Sequence, residues 1–231
     1  MTNSLKPEEV NQLVEKHGED DAIGSSLVPV ALHAQGIDTV ISLQGGQIMP
    51  THDRTSRLLK QVFFKTEQGV AFGLIGMAKV TQRPQVGIVT SGPGALNTVT
   101  GISDATRDCV PIGIIAGQVP QSVMGTDAFQ GEAVADVMRP ITKSSRVLTS
   151  PCDILHYLPR DLGTACNGKP GSVFWDLPKD VQIAPVDLRN SAESAQNYEA
   201  FLQKPPLDTD ALDRAIEKLY ESDTPILMAG Y

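Results

Sequence analysis

This 231-residue chain has no CxxC pair, no cysteine–histidine cluster of metal-ligand spacing and no surplus of basic charge. Its three cysteines, Cys109, Cys152 and Cys166, are odd in number and unpatterned, which argues against a disulfide framework or a zinc site and reads as a reduced, intracellular protein. The 19 basic residues against 27 acidic ones give a net charge of −8, without the footprint that nucleic acid or anionic lipid requires, so neither is an expected partner. No apolar run approaches the ~20 residues of a membrane span. The opening "MTNSLKPEEVNQ" is polar and acidic, unlike a secretory signal or an arginine-rich transit peptide, and the expected location is the cytoplasm. None of the four histidines (His17, His33, His52, His156) stands in a nucleophile–base arrangement, so a hydrolase triad has no support.

What remains is an ordinary globular composition, 41% hydrophobic and 20% charged, long enough for one full domain and part of another. Residues 1–21 are polar and read as a weak helix, "PEEVNQLVEKHG", or as a tail. From "SSLVPVALHAQG" onward, apolar runs of strand type alternate with helical segments. In that first helix Ser26 is the expected N-cap, Pro29 falls in the first turn and Gly36 closes. The strands are "IDTVISL", "QVFF", "QVGIVTS", "PIGIIAGQV" and "SVFWDLP". Between them lie a short helix around Arg54–Lys60, a helix "QGVAFGLIGMAKVT" that is apolar almost all round, a small-residue helix "GPGALNTVTGISDATRD" and a helix from about Asp153 to Cys166. Short loops join them, so the expected fold class is α/β, a mainly parallel, doubly wound sheet with helices on both faces. Residues 22–185 form this domain. Residues 186–207 are polar and proline-bearing, of linker composition, and 208–231 read as an amphipathic helix and a strand, "TPILMAGY", opening a second domain.

Three strand ends in succession carry special residues. "SLQGGQIMP" places Gly45 and Gly46 after the first strand, where a glycine pair lets a backbone approach a ligand or turns a corner. Glu67 follows the second strand and opens a helix; a first-turn carboxylate is favoured by the helix dipole alone, whatever its function. "TSGPGALN" follows the third, with Ser91, Gly92, Pro93 and Asn97 at the position where open α/β sheets bind ligands or make a tight turn. It is neither a GxGxxG fingerprint with a ribose-binding acid nor a GxxxxGK[ST] loop. Three such ends at one edge of a parallel sheet suggest a crevice. The loop "GTDAFQGE" adds an exposed-looking aromatic, Phe129, beside Gln130.

Together, "EQGVAFGLIGMAKVT", "VGIVTSGPGALNTVTGISDA", "VPIGIIAGQVPQSVMGTDAFQ", "RPITKSSRV" and "GSVFWDLPKDVQ", in that order and spacing, resemble the N-terminal pyrimidine-binding domain of thiamine-diphosphate-dependent enzymes of acetolactate synthase type. The resemblance runs from about Ser25 to Gln182. It implies that Glu67 hydrogen-bonds the cofactor's pyrimidine N1′ and stabilises the imino tautomer that takes the proton from thiazolium C2, with an apolar setting strengthening that bond. It implies too that Gly45 and Gly46 bring backbone close to the aminopyrimidine, with Ser91, Gly92, Pro93 and Asn97 beside the cofactor. Pro120, Ala128, Phe129, Gln130 and Lys179 match positions lining a substrate channel, and Gln118 lies in the matching "GQVP" turn. The implied reaction is transferase chemistry, in which pyruvate is decarboxylated and condensed with a second 2-keto acid in branched-chain amino-acid biosynthesis.

The sequence departs from that family at Thr66, where histidine is usual, and at Gln44 and Gln47, which flank the glycine pair in place of proline and alanine. It contains no GDG, the motif through which a separate domain holds the diphosphate with Mg²⁺, and no metal ligands are expected here. Mg²⁺ and FAD are implied only for a complete enzyme, as is a homodimer, a tetramer or a chain supplying the diphosphate-binding domain. Two other readings fit the residues: a different thiamine-diphosphate lyase or decarboxylase split over two chains, and a catalytically inert relative acting as an interaction module.

Overall fold

The five apolar runs of residues 22–185 that read as strands enter one sheet. The structure, a computed structural model, describes Glu8, Glu15 and residues 21–203 and 206–228; the weak helix expected before residue 19 lies outside the described residues apart from those two glutamates. Six strands, β1 (Thr39–Ser42), β2 (Lys60–Phe63), β3 (Gln85–Val89), β4 (Ile112–Gln118), β5 (Ser144–Val147) and β6 (Val173–Pro178), lie in the order β2-β1-β3-β4-β6-β5. All their pairings are parallel. Every residue of β3, β4 and β6 is buried, as strands covered on both faces must be.

Alternation along the strands divides the core in two. Ile88, Ile115, Val173 and Trp175 face a layer that includes α1 (Gly24–Ala34), α7 (Pro151–Cys166) and α9 (Leu188–Glu193), whereas Val89, Ile112, Ile114 and Phe174 face α3 (Glu67–Thr81), α5 (Val99–Arg107) and α6 (Val134–Met138). Four smaller or peripheral helices also occur among the described residues: α2 (Met49–Ser56), α4 (Pro93–Leu96), α8 (Lys179–Ile183) and α10 (Thr209–Glu221). This is the doubly wound α/β class. After β1 the chain steps outward to β2 and then crosses back to β3, so the strand order reverses between β1 and β3. The crevice outside that switch point is where such sheets take ligands.

One buried carboxylate knots the first layer to the sheet. Asp161 on α7 accepts the Trp175 indole N–H at 2.8 Å and two bonds from Arg146 at 2.7 and 2.8 Å, while the guanidinium lies 4.2 Å from the Tyr157 ring centre.

Several local expectations change. The first helix starts at Gly24, whose N–H donates to Ala184 at 2.8 Å, so Ile23 is the N-cap; Ser26 sits one turn in and accepts the Ile23 N–H, and Pro29 lies within the helix rather than its first turn. The next helix is Met49–Ser56, with Pro50 in its first turn, because Lys60 already belongs to β2. The helix α3 is not buried all round: Phe72 and Val80 face outward while Val70 and Leu74 face the sheet and Ala71 faces Gly101 of α5. The small-residue helix divides into α4 and α5 on either side of Asn97 and Thr98. Leu188, Ala192, Ala195 and Tyr198, within the stretch of linker composition, are buried in the first layer. The strand expected from Thr224 is not formed up to Met228, which is exposed; the remaining three residues lie outside the described ones.

Candidate functional site at the switch point

The turn after β1 is shaped by close approach. A Cβ on Gly45 would stand 2.3 Å from Thr90 Cβ, so only glycine allows this strand end to lie against the one after β3. Gly46 opens a single 3-10 turn, Gly46–Ile48, and faces open space. The turn is held from behind. Lys179 Nζ donates to Gly46 O at 3.1 Å, Gln182 Nε2 to Gln47 O at 2.7 Å, and Ile48 N to Gly45 O at 3.2 Å.

Glu67 is the first residue of α3 because Thr66 caps the helix, its hydroxyl accepting the Gly69 N–H at 3.0 Å. The dipole then favours a carboxylate at residue 67. Asn97 Nδ2 donates to Glu67 Oε2 at 3.1 Å, and a Cβ on Gly94 would come within 3.2 Å of Glu67 Oε1. Glycine at 94 therefore leaves that side of the carboxylate uncovered. The side chain borders a hollow of about 360 Å³ lined by Lys65, Thr66, Gln68, Leu96, Asn97 and Thr100. The expected apolar enclosure is not formed within this chain: the apolar run after Gln68 turns into the core, and the first turn of α3 faces the open edge of the sheet.

The third strand end meets the loop 125–132. Buried Ser91 donates to Gln130 Oε1 at 3.2 Å, and Gly92 has the positive φ of +52° that glycine tolerates. A Cβ there would stand 2.1 Å from Glu132 Oε2. Pro93 is exposed at the start of α4, and Ala128 is half-buried. Gln130 has a positive φ of its own, +60°, while Phe129 points to solvent, 85% exposed. Pro120 precedes a 3-10 turn, Gln121–Val123, clamped by Asp180, which accepts from Gln121 N at 3.1 Å and Nε2 at 3.0 Å. Gln118 Nε2 donates to Glu132 O at 3.0 Å and to Asp176 Oδ2 at 3.3 Å. Burial pushes the Asp176 carboxyl up to about 7, against the bonds from Gln118 and the Ala135 N–H.

The structure thus joins Glu67 to Asn97, Gly46 to Lys179, and Ser91 and Gly92 to Gln130. It leaves Phe129 and Pro93 at the surface. Sequence reasoning missed Gln182, Thr51, Gly94 and Asp176. Only Asp176 carried a signal, a carboxylate inside the apolar run "SVFWDLP".

Two glycine-walled turns flanking a helix-start carboxylate at the switch point of a parallel sheet define a class, the doubly wound cofactor-binding domain. The chain belongs to the thiamine pyrophosphate enzymes: the family "Thiamine pyrophosphate enzyme, N-terminal TPP binding domain" matches residues 24–139, half its length. It is 36% identical over 210 residues to "Acetolactate synthase, chloroplastic" of Arabidopsis thaliana, covering 90% of this chain and 31% of that protein. It is also 36% identical over 208 residues to "Acetolactate synthase isozyme 2 large subunit" of Escherichia coli K12, covering 90% and 37%. The "Acetolactate synthase large subunit" of Corynebacterium glutamicum is 34% identical over 220 residues, covering 90% and 33%. The chain spans about a third of the length of the curated relatives it matches. It is an acetolactate synthase-like, thiamine-diphosphate-dependent domain. Among the described residues no helix is long and apolar enough to cross a membrane.

Proposed function

We propose that this chain is the pyrimidine-binding part of an enzyme of acetolactate synthase type, which decarboxylates pyruvate and condenses the product with a second 2-keto acid in branched-chain amino-acid synthesis. The observation that carries this reading is the Glu67 carboxylate at the start of α3, oriented by Asn97 and left uncovered by Gly94. These residues fit the cofactor's ring: a Cβ at 94 would occupy the space beside Oε1, and Gly46 adds no side chain to the turn after β1. Thiamine diphosphate, when bound, supplies the electron sink that a 2-keto acid decarboxylation requires.

The protein's part is to hold and move a proton. Glu67 would hydrogen-bond the ring nitrogen, for which Asn97, donating to Oε2, leaves Oε1. Gly45 and Gly46 would admit the ring edge, with Pro93 exposed at the start of α4 and the buried Ser91 and Gly92 behind it setting that turn against Gln130. Ala128, Phe129 and Gln130, with Pro120 and Lys179, line the approach of the 2-keto acid. Burial lowers the Lys179 pKa, while its ammonium donates to Gly46 O.

Mg²⁺ and FAD belong to the complete enzyme. Among the described residues no three or more His, Cys, Asp or Glu side chains come together. In this reading a further domain, in a homodimer, a tetramer or a partner chain, would hold the diphosphate end, in the cytoplasm. Residues 208–231 open the central domain: Leu212, Ile216 and Tyr220 of α10 are exposed, a helix face awaiting cover.

Pyruvate consumption, measured for this chain assembled with a polypeptide supplying the remaining domains, tests the reading. Turnover that depends on thiamine diphosphate and falls steeply in Glu67→Gln supports it; turnover unchanged in that variant contradicts it.

A further inference from the structure

Gln182, on α8, lies away from the hollow beside Glu67, yet it is fully buried and every hydrogen-bonding atom of its side chain has a partner. Its Nε2 donates to Gln47 O at 2.7 Å and to Leu177 O at 2.9 Å, linking the turn after β1 to the end of β6. Its Oε1 accepts from Thr51 Oγ1 at 3.1 Å, and Thr51 in turn meets Ser25 Oγ at 3.1 Å. Thr51 and Ser25 are also fully buried. Two neighbouring elements therefore converge on one amide: α2, which follows the glycine turn, and β6, which carries the chain into α8.

The buried Ile48 side chain anchors the far end of the turn in the core, but the glycine pair itself offers no side chain to hold. Gly45 and Gly46 have no side chains, and glycine loses more conformational freedom on ordering than any other residue. Lys179 grips Gly46 O through a long, flexible chain. On the other side a Cβ on Gly117 would come within 2.8 Å of the Gln47 backbone, so the turn is pressed onto β4 and a shift of Gln47 is felt directly at Gly46. An amide bonded through both of its N–H groups and its oxygen in a dry setting is costly to disturb, because any lost bond leaves a buried polar group unpaired.

We infer that Gln182 is the positioning residue of the thiamine-diphosphate site: through Gln47 O it fixes the Gly45–Gly46 turn at the distance the aminopyrimidine needs. This rests on the reading that the turn faces the pyrimidine. Gln182 touches neither cofactor nor substrate, and its effect passes through the backbone of the turn.

The test compares Gln182→Met, which keeps the length and removes the bonds, with Leu162→Ala, a destabilising change in the same core layer that touches no turn residue, and with Glu67→Gln. In the chain assembled with the remaining domains, Gln182→Met is expected to raise the thiamine-diphosphate concentration for half-maximal activity about tenfold or more, leaving kcat at saturation within about threefold. Leu162→Ala leaves that concentration unchanged. In the chain alone, hydrogen exchange of the Ile48 amide, bonded to Gly45 O, accelerates in Gln182→Met more than in Leu162→Ala. A half-saturating concentration within twofold of the parent protein, or Ile48 exchange no faster than in Leu162→Ala, overturns the inference. Should Glu67→Gln turn over normally, the reading of the site fails, and the Ile48 exchange alone decides whether Gln182 fixes the turn.

Discussion

Asn97 donates its side-chain N–H to Glu67 Oε2 at 3.1 Å, joining residues 30 positions apart, at the end of α4 and the start of α3. The bond selects one carboxylate oxygen and leaves the other facing the space beside Gly94. Replacing Asn97 with alanine is expected to lower turnover of the assembled enzyme several-fold while shifting the melting temperature by only about a degree, since an exposed hydrogen bond contributes little to stability. Asn97→Asp sets two carboxylates side by side and is expected to lower turnover further. Steady-state kinetics beside thermal unfolding separate the two effects.

Gly45→Ala tests the close approach of the strand ends. The added Cβ meets Thr90 Cβ at 2.3 Å, so the turn or β3 must move. The expected cost is about 1–3 kcal/mol in urea unfolding, and Thr90→Gly in the same chain restores part of it.

The carboxyl of Asp176 gives a pH dependence of defined sign. Its folded value, pushed by burial from 3.8 to about 7, exceeds the unfolded one, so between those values the folded protein binds the extra proton. Its contribution to stability is fully present below pH 3.8 and is lost as pH rises through about 7. Asp176→Asn, which still offers an oxygen to Gln118 and Ala135, is expected to gain stability relative to the parent protein over that window. Denaturant unfolding of both proteins at pH 4, 6 and 8 measures the difference.

Asp161 is expected to be the costliest single loss outside the site. Asp161→Ala leaves Trp175 Nε1 buried without a partner and the Arg146 guanidinium without its carboxylate, a change of about 3–5 kcal/mol. Urea unfolding followed by fluorescence of the single tryptophan reads it directly.

Much of this architecture was legible because parallel strands leave a simple trace, continuous apolar runs such as "PIGIIAGQV" separated by helical segments. The site was legible in part because glycines and a lone carboxylate at strand ends stand out from that background. Asn97 and Glu67 could each be named, but their pairing depends on how α4 and α5 divide, which small-residue composition does not specify. Gln182 was invisible because glutamine in a short polar segment looks like surface; only the convergence of α2, β6 and the glycine turn buries it. Leu188, Ala192, Ala195 and Tyr198 were hidden for a related reason: the first three fall at the helical spacing i, i+4 and i+7, but two of them are alanines and the residues around them are polar, so the stripe is faint. The polar rim of the hollow beside Glu67 escaped notice because the apolar run beside it belongs to the inward face of α3.

The central claim, that Glu67 assists proton removal at the cofactor, is tested most directly by the rate of hydrogen–deuterium exchange at C2 of thiamine diphosphate bound to the assembled enzyme, compared between the parent protein and Glu67→Gln. A general acid–base partner contributes roughly 10²–10⁴-fold, and a slowing of that order is predicted in the variant, with the cofactor still bound. Exchange at the parent rate in Glu67→Gln, with the cofactor demonstrably bound, would contradict the account.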